Sequence, residues 1–443
     1  MTQMFSSPRL SRRTVLQGLA ATAGCELALR NRLYADAPWK ATKEDEAFLD
    51  DLERQGCLFF WEQASPTTGQ ILDRARNDLN GARDPRRMAS TASTGFGLAA
   101  LCIADHRKYL PHAQIVERVK NTLSWHLNHL PEVHGFFYHF SDIETGVRTP
   151  GVELSSIDTA LLLCGIMMVR EYFDDAQIHS LATQIYERVD FPWMMAGGKT
   201  LSMGWKPDSG FLEDRWNRYC ELMMLNLLAM GSPTHPVAPD LWNQFRRPRI
   251  HYQNYDYISG NDPIFTHQYS QAWFDFRNKR DKYADYFKNS TVATDVHRRF
   301  CIELGKTFPD YSDDLWGITA SDSEKGYVIW GGPPAMGPID GSVVPAAAGG
   351  SIPFLPVATM RVLKNIRKAY PQAWSKYGFV DAFNPLRNWY DHDIVGIDAG
   401  ITMLMAENAR SGFVWETFMK NPEAQHGMAQ AGFQSYNPDA PAK

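Results

Sequence analysis

Residues 154–169 read LSSIDTALLLCGIMMV, a segment that is apolar on nearly every side when it is drawn as a helix. A helix of this kind has to be enclosed by other helices, because no side of it suits water. Residues 219–230 and 397–405 share this character, whereas residues 115–130 and 177–189 carry a charged face. The two kinds of helix indicate inner and outer helices that alternate around a centre.

The helical pattern continues along most of the chain, since apolar residues recur with a period near 3.6 rather than in alternation. It predicts helices at residues 44–61, 94–106, 115–130, 154–173, 177–189, 217–230, 239–245, 264–287, 292–304, 356–369 and 396–409. Gly- and Pro-rich segments at 196–210 and 331–350 are too long for tight helix–helix turns and are expected to carry function. We therefore expect an all-α protein, an α/α toroid whose long loops form a cleft at one end.

Two segments divide the chain. Residues 1–37 contain Arg12 and Arg13 before a short apolar stretch, which is typical of a twin-arginine export signal. Residues 38–443 contain no Ser- or Gly-rich linker and are expected to form a single domain. The protein is thus predicted to be periplasmic or secreted, while the signal cleavage point and lipidation at Cys25 stay open.

Composition and charge exclude several classes of protein. Of the 443 residues, 44% are hydrophobic and 12% aromatic, which suits a packed core rather than a disordered chain. The longest apolar runs are far shorter than a membrane span, so no span is expected. The net charge is −5, and removal of residues 1–37 makes it more negative, which argues against a nucleic-acid partner. The sequence does not indicate an oligomeric state.

The histidines and cysteines do not follow a metal-binding pattern. His126, His129, His134 and His139 cluster near one helix end, but their spacing matches no metalloprotease motif. The five cysteines after residue 37 are far apart and set among apolar residues, so they are expected to be buried small hydrophobes. We expect neither a metal nor a cofactor.

Acidic residues embedded in apolar helices are the strongest chemical signal, because a buried charge is costly unless it is paired or used. They form three groups, namely Glu153 with Asp158, then Glu221, then Asp391, Asp393 and Asp398. Each acid could instead cap a helix or pair with an arginine, as Glu221 could with Arg215 or Arg218. All three groups lie beside Trp, Tyr or Gly-rich loops. Opposed carboxylates walled by aromatic rings are what glycoside hydrolysis needs.

Several motifs, taken in order over roughly residues 45–422, resemble those of a known family. They are FFYHF at 136–140, ELSSIDTALLL at 153–163, LSMGW at 201–205, Trp216 with Tyr219 and Glu221, GSPTHP at 231–236, Ser321-Asp322, AAAGGSIPF at 346–354, YGFVDAFNP at 377–385, WYD at 389–391 and GIDAG at 396–400. On these motifs the chain resembles the bacterial glucoamylase-like family and is similar to glycoside hydrolase family 144. The resemblance implies an (α/α)6 barrel and inverting hydrolysis of β-1,2-glucan or its oligosaccharides without a metal.

The resemblance also implies roles for particular residues. Glu221 matches the general acid, and an acid of the segment 391–398, which we take to be Asp398, matches the base. The residues expected to line the cleft and bind the glucan are Glu153, Asp158, His139, Trp205, Trp216, Tyr219, Asp322, Trp389, Tyr390, Asp391 and Asp393.

Other functions stay open at this point. The same family contains glycan-processing domains of cyclic β-1,2-glucan synthases, so linear or cyclic glucan and endo or exo cleavage are alternatives. A toroidal lyase or a glycosidase of other specificity is a second possibility. A periplasmic glycan-binding or assembly protein without hydrolytic activity is a third, because Cys220 and Ala399 stand where the family resemblance implies bulkier polar residues.

Overall fold

The helices predicted from the sequence dominate the structure. The computed structural model describes residues 39–79, 82–260, 263–333 and 337–437. The predicted export signal at residues 1–37 lies outside the described residues. Residues Lys43–Lys443 form one compact unit.

Fifteen α-helices occur within the described ranges. They are α1 (Lys43–Glu62), α2 (Thr91–His106), α3 (His112–Asn128), α4 (Ser156–Tyr172), α5 (Ala176–Glu187), α6 (Phe191–Met194), α7 (Leu222–Gly231), α8 (Leu241–Gln244), α9 (Tyr269–Trp273), α10 (Tyr286–Leu304), α11 (Pro345–Gly349), α12 (Pro356–Ala369), α13 (Gly396–Arg410), α14 (Phe413–Phe418) and α15 (Pro422–Gln430). Short 3-10 helices cover Ile264–His267, Pro371–Ala373 and Pro385–Arg387.

The buried helices pack on one another, and amphipathic helices cover them. Helix α2 packs against α4 and α13, α4 and α9 both pack against α7, and α13 also packs against α9 and α11. Every residue of α7 and nearly every residue of α4 is buried. Helices α1, α5 and α12 pack on this inner group and keep one polar face. This arrangement agrees with the predicted alternation of inner and outer helices.

Glycines allow the central inner helices to approach closely. A Cβ atom on Gly165 of α4 would clash with the backbone of Gly95 in α2, and one on Gly95 would clash with the backbone of Leu161. A Cβ atom on Gly400 of α13 would clash with the side chain of Phe96 in α2. Gly95, Gly165 and Gly400 therefore serve helix packing, because the absence of a side chain lets a neighbouring helix approach closely.

Short antiparallel strands precede three inner helices. The strands are β1 (Arg74–Arg76), β2 (Met88–Ser90), β3 (Glu132–Val133), β4 (Phe136–Phe137), β5 (Phe140–Asp142), β6 (Leu154–Ser155), β7 (Gly204–Lys206), β8 (Gly210–Phe211), β9 (Arg249–Tyr252), β10 (Tyr255–Ile258), β11 (Lys279–Arg280), β12 (Ala320–Ser321), β13 (Val328–Ile329), β14 (Trp374–Ser375), β15 (Gly378–Phe379), β16 (Phe383–Asn384), β17 (Trp389–Tyr390), β18 (Asp393–Val395) and β19 (Gln434–Ser435). Strand β2 leads into α2, β6 into α4 and β18 into α13.

Backbone hydrogen bonds bring the starts of these three helices side by side. The N–H of Gly396, at the start of α13, donates to the carbonyl of Asp73 at 2.8 Å. The N–H of Thr91, at the start of α2, donates to the carbonyl of His139, whose own N–H donates to the carbonyl of Glu153, just before α4. Residues 73, 139 and 153 are thus held at one end of the inner helices.

Two predicted helices differ from the structure. The predicted helix at 264–287 is wrong, because α9 ends at Trp273 and β11 then pairs with β19. The chain turns at Asn278, whose φ of 54° is left-handed, a conformation that breaks a right-handed helix. The predicted helix at 217–230 starts later, at Leu222. The sequence pattern also missed α6, α11, α14 and α15, which are nine residues or shorter.

The remaining expectations concern membrane spans and cysteines. Within the described residues, no helix combines the length and the apolar character that a membrane crossing requires. The five cysteines after residue 37 are unbridged and buried, as the sequence predicted.

Candidate active site

Four aspartates meet beside the start of α13. One carboxylate oxygen from each of Asp322, Asp381 and Asp391 lies within 4.8 Å of the other two. Asp398, in the first turn of α13, is hydrogen-bonded to Asp381 through their side chains. We call Asp322, Asp381, Asp391 and Asp398 the acid pocket. The structure thereby brings together three predicted site residues and adds Asp381, to which the sequence analysis gave no role.

One arginine supplies positive charge to the acid pocket. Arg74 of β1 forms an ion pair with Asp322 and donates a 2.8 Å hydrogen bond from Nε to Asp73. Pairing between β1 and β18 places Arg74 opposite Val395, directly before α13. A single guanidinium beside five carboxyl groups leaves excess negative charge, unless some of the acids hold protons.

The buried acids do hold their protons more tightly than usual. Burial raises the pKa of Asp398 to about 6, with the hydrogen bond to Asp381 opposing the shift and the charge of Asp322 adding to it. Burial, assisted by the neighbouring carboxyl group of Asp381, raises the pKa of Asp391 to about 7. Burial and the nearby Asp398 raise the pKa of Asp381 well above its ordinary value. The pocket therefore contains both neutral and ionised acids near neutral pH.

Clustered carboxylate oxygens are also the donors that a hard cation prefers. Here the carboxylate of Asp322 is already bound to Arg74, and Asp381 Oδ2 accepts a 2.6 Å hydrogen bond from the N–H of Asp322. Protons and one guanidinium thus reduce the negative charge of the group. We assign no metal to it.

A second group of titratable residues lies at the start of α4. His139 Nδ1 is 3.1 Å from Glu153, and its Nε2 is 3.5 Å from Asp158. Ser155 Oγ accepts the N–H of Asp158 and donates a 2.5 Å hydrogen bond to the Asp158 carboxylate, so that acid also stabilises the helix start. We call His139, Glu153 and Asp158 the histidine pocket.

Opposite charges control protonation in the histidine pocket. Burial alone would lower the pKa of His139, but the charge of Asp158 and the hydrogen bond to Glu153 raise it to about 9. The hydrogen bond from His139 lowers the pKa of Glu153. Asp73 also acts on His139 and on Asp398, so it lies between the two pockets.

Glu221 stands immediately before α7, another inner helix, and is 9% exposed. Its side chain does not cap that helix, whereas its backbone carbonyl accepts a 2.7 Å hydrogen bond from Ser270 Oγ. Burial raises the pKa of the Tyr269 phenol, and Asp398, Glu221 and Asp381 raise it further. Glu221 and the acid pocket are therefore within electrostatic reach of one side chain.

Arg215, one proposed partner of Glu221, is engaged elsewhere. Its guanidinium donates to the backbone carbonyls of Met195 and Thr200. Asp393 has an arginine partner of its own, since Arg86 donates two 2.7 Å hydrogen bonds to its two carboxylate oxygens. Of the three acids in the segment 391–398, Asp391 and Asp398 belong to the acid pocket.

The predicted aromatic residues fall into two sets. Trp205, Trp389 and Tyr390 are half-buried and flank the pockets: Trp205 pairs with Leu154 beside Glu153, and β17 leads directly to Asp391. Trp216 and Tyr219 are buried. The Trp216 Nε1–H donates to Ser156 Oγ at 2.8 Å, and the Tyr219 hydroxyl is 3.1 Å from His267 Nδ1. Trp216 and Tyr219 therefore take part in packing, and their predicted sugar contact stays a prediction.

Sequence reasoning missed Asp381, Arg74 and Tyr327. Asp381 stands in the motif YGFVDAFNP, which carried the family resemblance, so a signal was present. Arg74 belongs to a three-residue strand with no distinctive pattern. Tyr327 is 52% exposed, yet burial of its phenol together with Asp398 and Asp381 raises its pKa. Tyr327 is therefore within electrostatic reach of the acid pocket.

The fold and the site together describe a helical protein in which acidic residues gather where inner helices begin. Aromatic rings lie beside these acidic residues. A protein-family model named Glycoamylase, which describes glucoamylases, matches residues 213–422 of this chain. This range includes Glu221, Asp322 and Asp398.

Named relatives agree with this match. An exo beta-1,2-glucooligosaccharide sophorohydrolase (non-reducing end) from Parabacteroides distasonis is 27% identical over 429 residues, covering 87% of this chain. The matched part is 57% of that relative, so the chain spans less than two thirds of its length.

Solved structures give the same result. An endo-beta-1,2-glucanase from Chitinophaga pinensis, in complex with sophorotriose and glucose, has a TM-score of 0.81 and 28% identity, covering 89% of this chain and 99% of that chain. A beta-1,2-glucanase from Parabacteroides distasonis has a TM-score of 0.81 and 25% identity, covering 89% and 60%. The resemblance to glucoamylase-like proteins and β-1,2-glucanases, expected from the motifs, is confirmed.

Proposed function

We propose that this protein is an exported inverting glycoside hydrolase that cleaves β-1,2-glucan or its oligosaccharides. The observation that carries the proposal is that Glu221 and Asp398, at the starts of two inner helices, both act electrostatically on one buried phenol, that of Tyr269. Two acids from different elements, with aromatic rings nearby, supply the groups that glycoside hydrolysis uses. The named relatives act on β-1,2-linked glucans, which supports the same substrate here.

Glu221 is the proposed general acid. It is nearly buried, and every residue of the following helix α7 is buried. Apolar surroundings disfavour a charged carboxylate, which suits a group that must hold a proton until the glycosidic oxygen leaves.

Asp398 is the proposed base. It lies in the first turn of α13, where the helix dipole favours a negative charge. Its pKa of about 6 leaves it mainly ionised at neutral pH and still basic enough to accept a proton from water. Inversion requires a water between the sugar and the base, so we expect the two carboxyl groups to be roughly 6.5–9.5 Å apart.

The fold and the location are part of the same proposal. The alternation of inner and outer helices supports an (α/α)6 toroid, with the acid and histidine pockets in the cleft at one end. Arg12 and Arg13 support export to the periplasm or beyond by the twin-arginine route. Replacing both with Lys should leave the protein in the cytoplasm, which fractionation would measure, and unchanged export would contradict the signal.

The decisive experiment compares wild-type protein with Glu221→Gln on linear and cyclic β-1,2-glucans and on glucans of other linkages. Glu221→Gln should lower turnover by about 10² or more, because the amide cannot donate the catalytic proton. Binding measured by calorimetry should persist, since the amide keeps the shape of the acid. NMR of the first product should show the α anomer, and product sizing separates endo from exo cleavage.

The matched control is Asp175→Asn, which replaces an acid that caps an outer helix. Asn caps equally well, so this variant should keep full turnover. Retention of the β anomer would refute inversion. Glucan binding without release from any glucan would favour a glycan-binding or assembly protein, for which Ala399 beside Asp398 and Cys220 beside Glu221 are the motivating residues.

A further inference from the structure

Asp381 is the most deeply placed acid of the acid pocket, and the mechanism above gives it no role. It is 3% exposed. Its N–H donates to the carbonyl of Asp393 at 3.0 Å, and its Oδ2 accepts the N–H of Asp322 at 2.6 Å. These two bonds fix the side chain between β12 and β18 and leave Oδ1 facing no N–H or O–H donor among the described residues.

The partner of Asp381 is itself a carboxyl group, that of Asp398. Two hydrogen-bonded carboxyl groups need a proton between them, because two buried carboxylates cannot approach each other while both are charged. Oδ2 of Asp381 already accepts a hydrogen bond, so the proton belongs on Oδ1. The two acids also border a small cavity whose other walls are mainly apolar, including Leu52 and Met403, which raises the cost of a second charge.

We propose that Asp381 is a positioning residue, which as a neutral acid donates a hydrogen bond from Oδ1 to Asp398 and so keeps Asp398 ionised and oriented as the base. This inference rests on the proposed function. Asp381 is thereby protonated and Asp398 ionised, although both carboxyl groups are buried in the acid pocket.

The groups around the pair agree with this assignment. Negative charge comes from Asp322 after β12, from Asp391 after β17 and from Asp73 before β1. Arg74 of β1 is a cation that acts on Asp398. The phenols of Tyr269 on α9 and Tyr327 before β13 complete the surroundings. With this excess of acids, one proton held inside the pair lowers the charge without neutralising the base.

The test uses two replacements of Asp381 in the full-length protein. Asp381→Asn keeps one acceptor for the N–H of Asp322 and one donor for Asp398, so turnover should fall by less than about tenfold. Asp381→Leu removes the donor. Asp398 should then hold its proton more tightly, and the acid limb of the kcat/KM profile, which is expected near pH 6 in the wild type, should move upward by about one pH unit or more.

Asp285→Asn, at the cap of outer helix α10, is the matched control and should leave the profile unchanged. An acid limb that stays in place in Asp381→Leu would overturn the proposal and give Asp381 a purely structural role. Equal loss of turnover in the Asn and Leu variants would also overturn it, because Asp381 would then act through its own charge.

A measurement without turnover separates this proposal from the proposed function. Protein labelled with ¹³C at aspartate side chains should show the infrared C=O stretch of a protonated carboxyl at about pH 8.5, where Asp391, with its pKa of about 7, is ionised. The band should disappear in Asp381→Asn. Its absence from the wild type would overturn the shared proton. Its presence in a protein that cleaves no glucan would uphold the pair and refute the hydrolase.

Discussion

The acid pocket and the histidine pocket both stand where an inner helix begins, yet they control their acids in opposite ways. In the acid pocket, burial raises the pKa of Asp398 to about 6 and of Asp391 to about 7. In the histidine pocket, the hydrogen bond from His139 lowers the pKa of Glu153. Carboxyl groups of the acid pocket hold protons near neutral pH, whereas Glu153 of the histidine pocket stays ionised beside a cation.

The difference in protonation comes from the side chain that faces each acid and not from the helix that carries the acid. Asp158 and Asp398 each lie in the first turn of an inner helix. His139 sits between Asp158 and Glu153, whereas Asp398 faces the carboxyl group of Asp381. Proton transfer requires acids whose protonation changes near neutral pH. On the proposed function, the acid pocket therefore suits proton transfer, and the histidine pocket suits charged hydrogen bonds to sugar hydroxyls.

The largest expected effect separates the two pockets by turnover. Asp398→Asn should lower kcat by about 10³ because the base is lost. Asp158→Asn should mainly raise KM, because the residue orients His139 and takes no part in proton transfer. Steady-state kinetics on a β-1,2-glucan measures both variants, with Asp285→Asn as the control. A similar loss of kcat in both variants would remove the division of labour.

The next prediction concerns the close contacts between inner helices that hold the two pockets together. Gly165→Ala places a Cβ against the backbone of Gly95, and the overpacking should reduce the free energy of unfolding by about 1–3 kcal/mol. Gly400→Ala meets the side chain of Phe96, which can shift, so its cost should be smaller. Thermal denaturation ranks the two variants against Ser180→Ala on outer helix α5. A larger loss of stability in Gly400→Ala would show that the contact between α13 and α2 is tighter than that between α4 and α2.

A third prediction concerns protonation in the histidine pocket. The pKa of His139 is about 9, whereas burial lowers the pKa of His126 to about 4. NMR titration of the imidazole signals should therefore resolve one histidine on each side of the ordinary value of about 6.5. Coincident titration of both near that value would show that Glu153 and Asp158 do not hold His139 charged.

The same shift affects stability with a defined sign. The pKa of His139 is higher in the folded than in the unfolded protein, so its stabilising contribution is fully present below about pH 6.5 and is lost as pH rises through about 9. His139→Gln should weaken the fall of unfolding free energy across that range. Denaturant titrations at pH 6 and 9.5 measure the difference, and an equal fall in both proteins would contradict it.

The sequence predicted the long helices and half of the site for a common physical reason. Helices such as α1 and α12 repeat their apolar residues over many turns, and an acid such as Asp398 in an apolar helix is conspicuous because its burial is costly. The assignments of Glu221 and Asp398 as acid and base stay predictions.

Other parts could not be read from local sequence. The position of Arg74 depends on pairing between β1 and β18, segments more than 300 residues apart that are three residues long. The role of Asp381 depends on hydrogen bonds to Asp322 and Asp398, which no spacing encodes. Short helices such as α11 likewise form because packing holds them, since so few residues cannot show a period.

The smallest expected effect tests the aromatic rings beside the pockets. Trp205 adjoins the histidine pocket and Trp389 the acid pocket, and both are half-buried. A ring that stacks on a sugar face binds the ground state and the transition state alike, so Trp205→Ala should raise KM and leave kcat nearly unchanged. The change should be about 2- to 12-fold, since an aromatic contact contributes about 0.5–1.5 kcal/mol. Trp389→Ala should show a lower kcat as well, because the strand that carries Trp389 leads directly to Asp391.

Trp61→Ala, which removes a ring that contacts Arg118 on outer helix α3, is the control and should change neither constant. If Trp205→Ala lowered kcat as much as Trp389→Ala, the two pockets would have to be regarded as one catalytic unit.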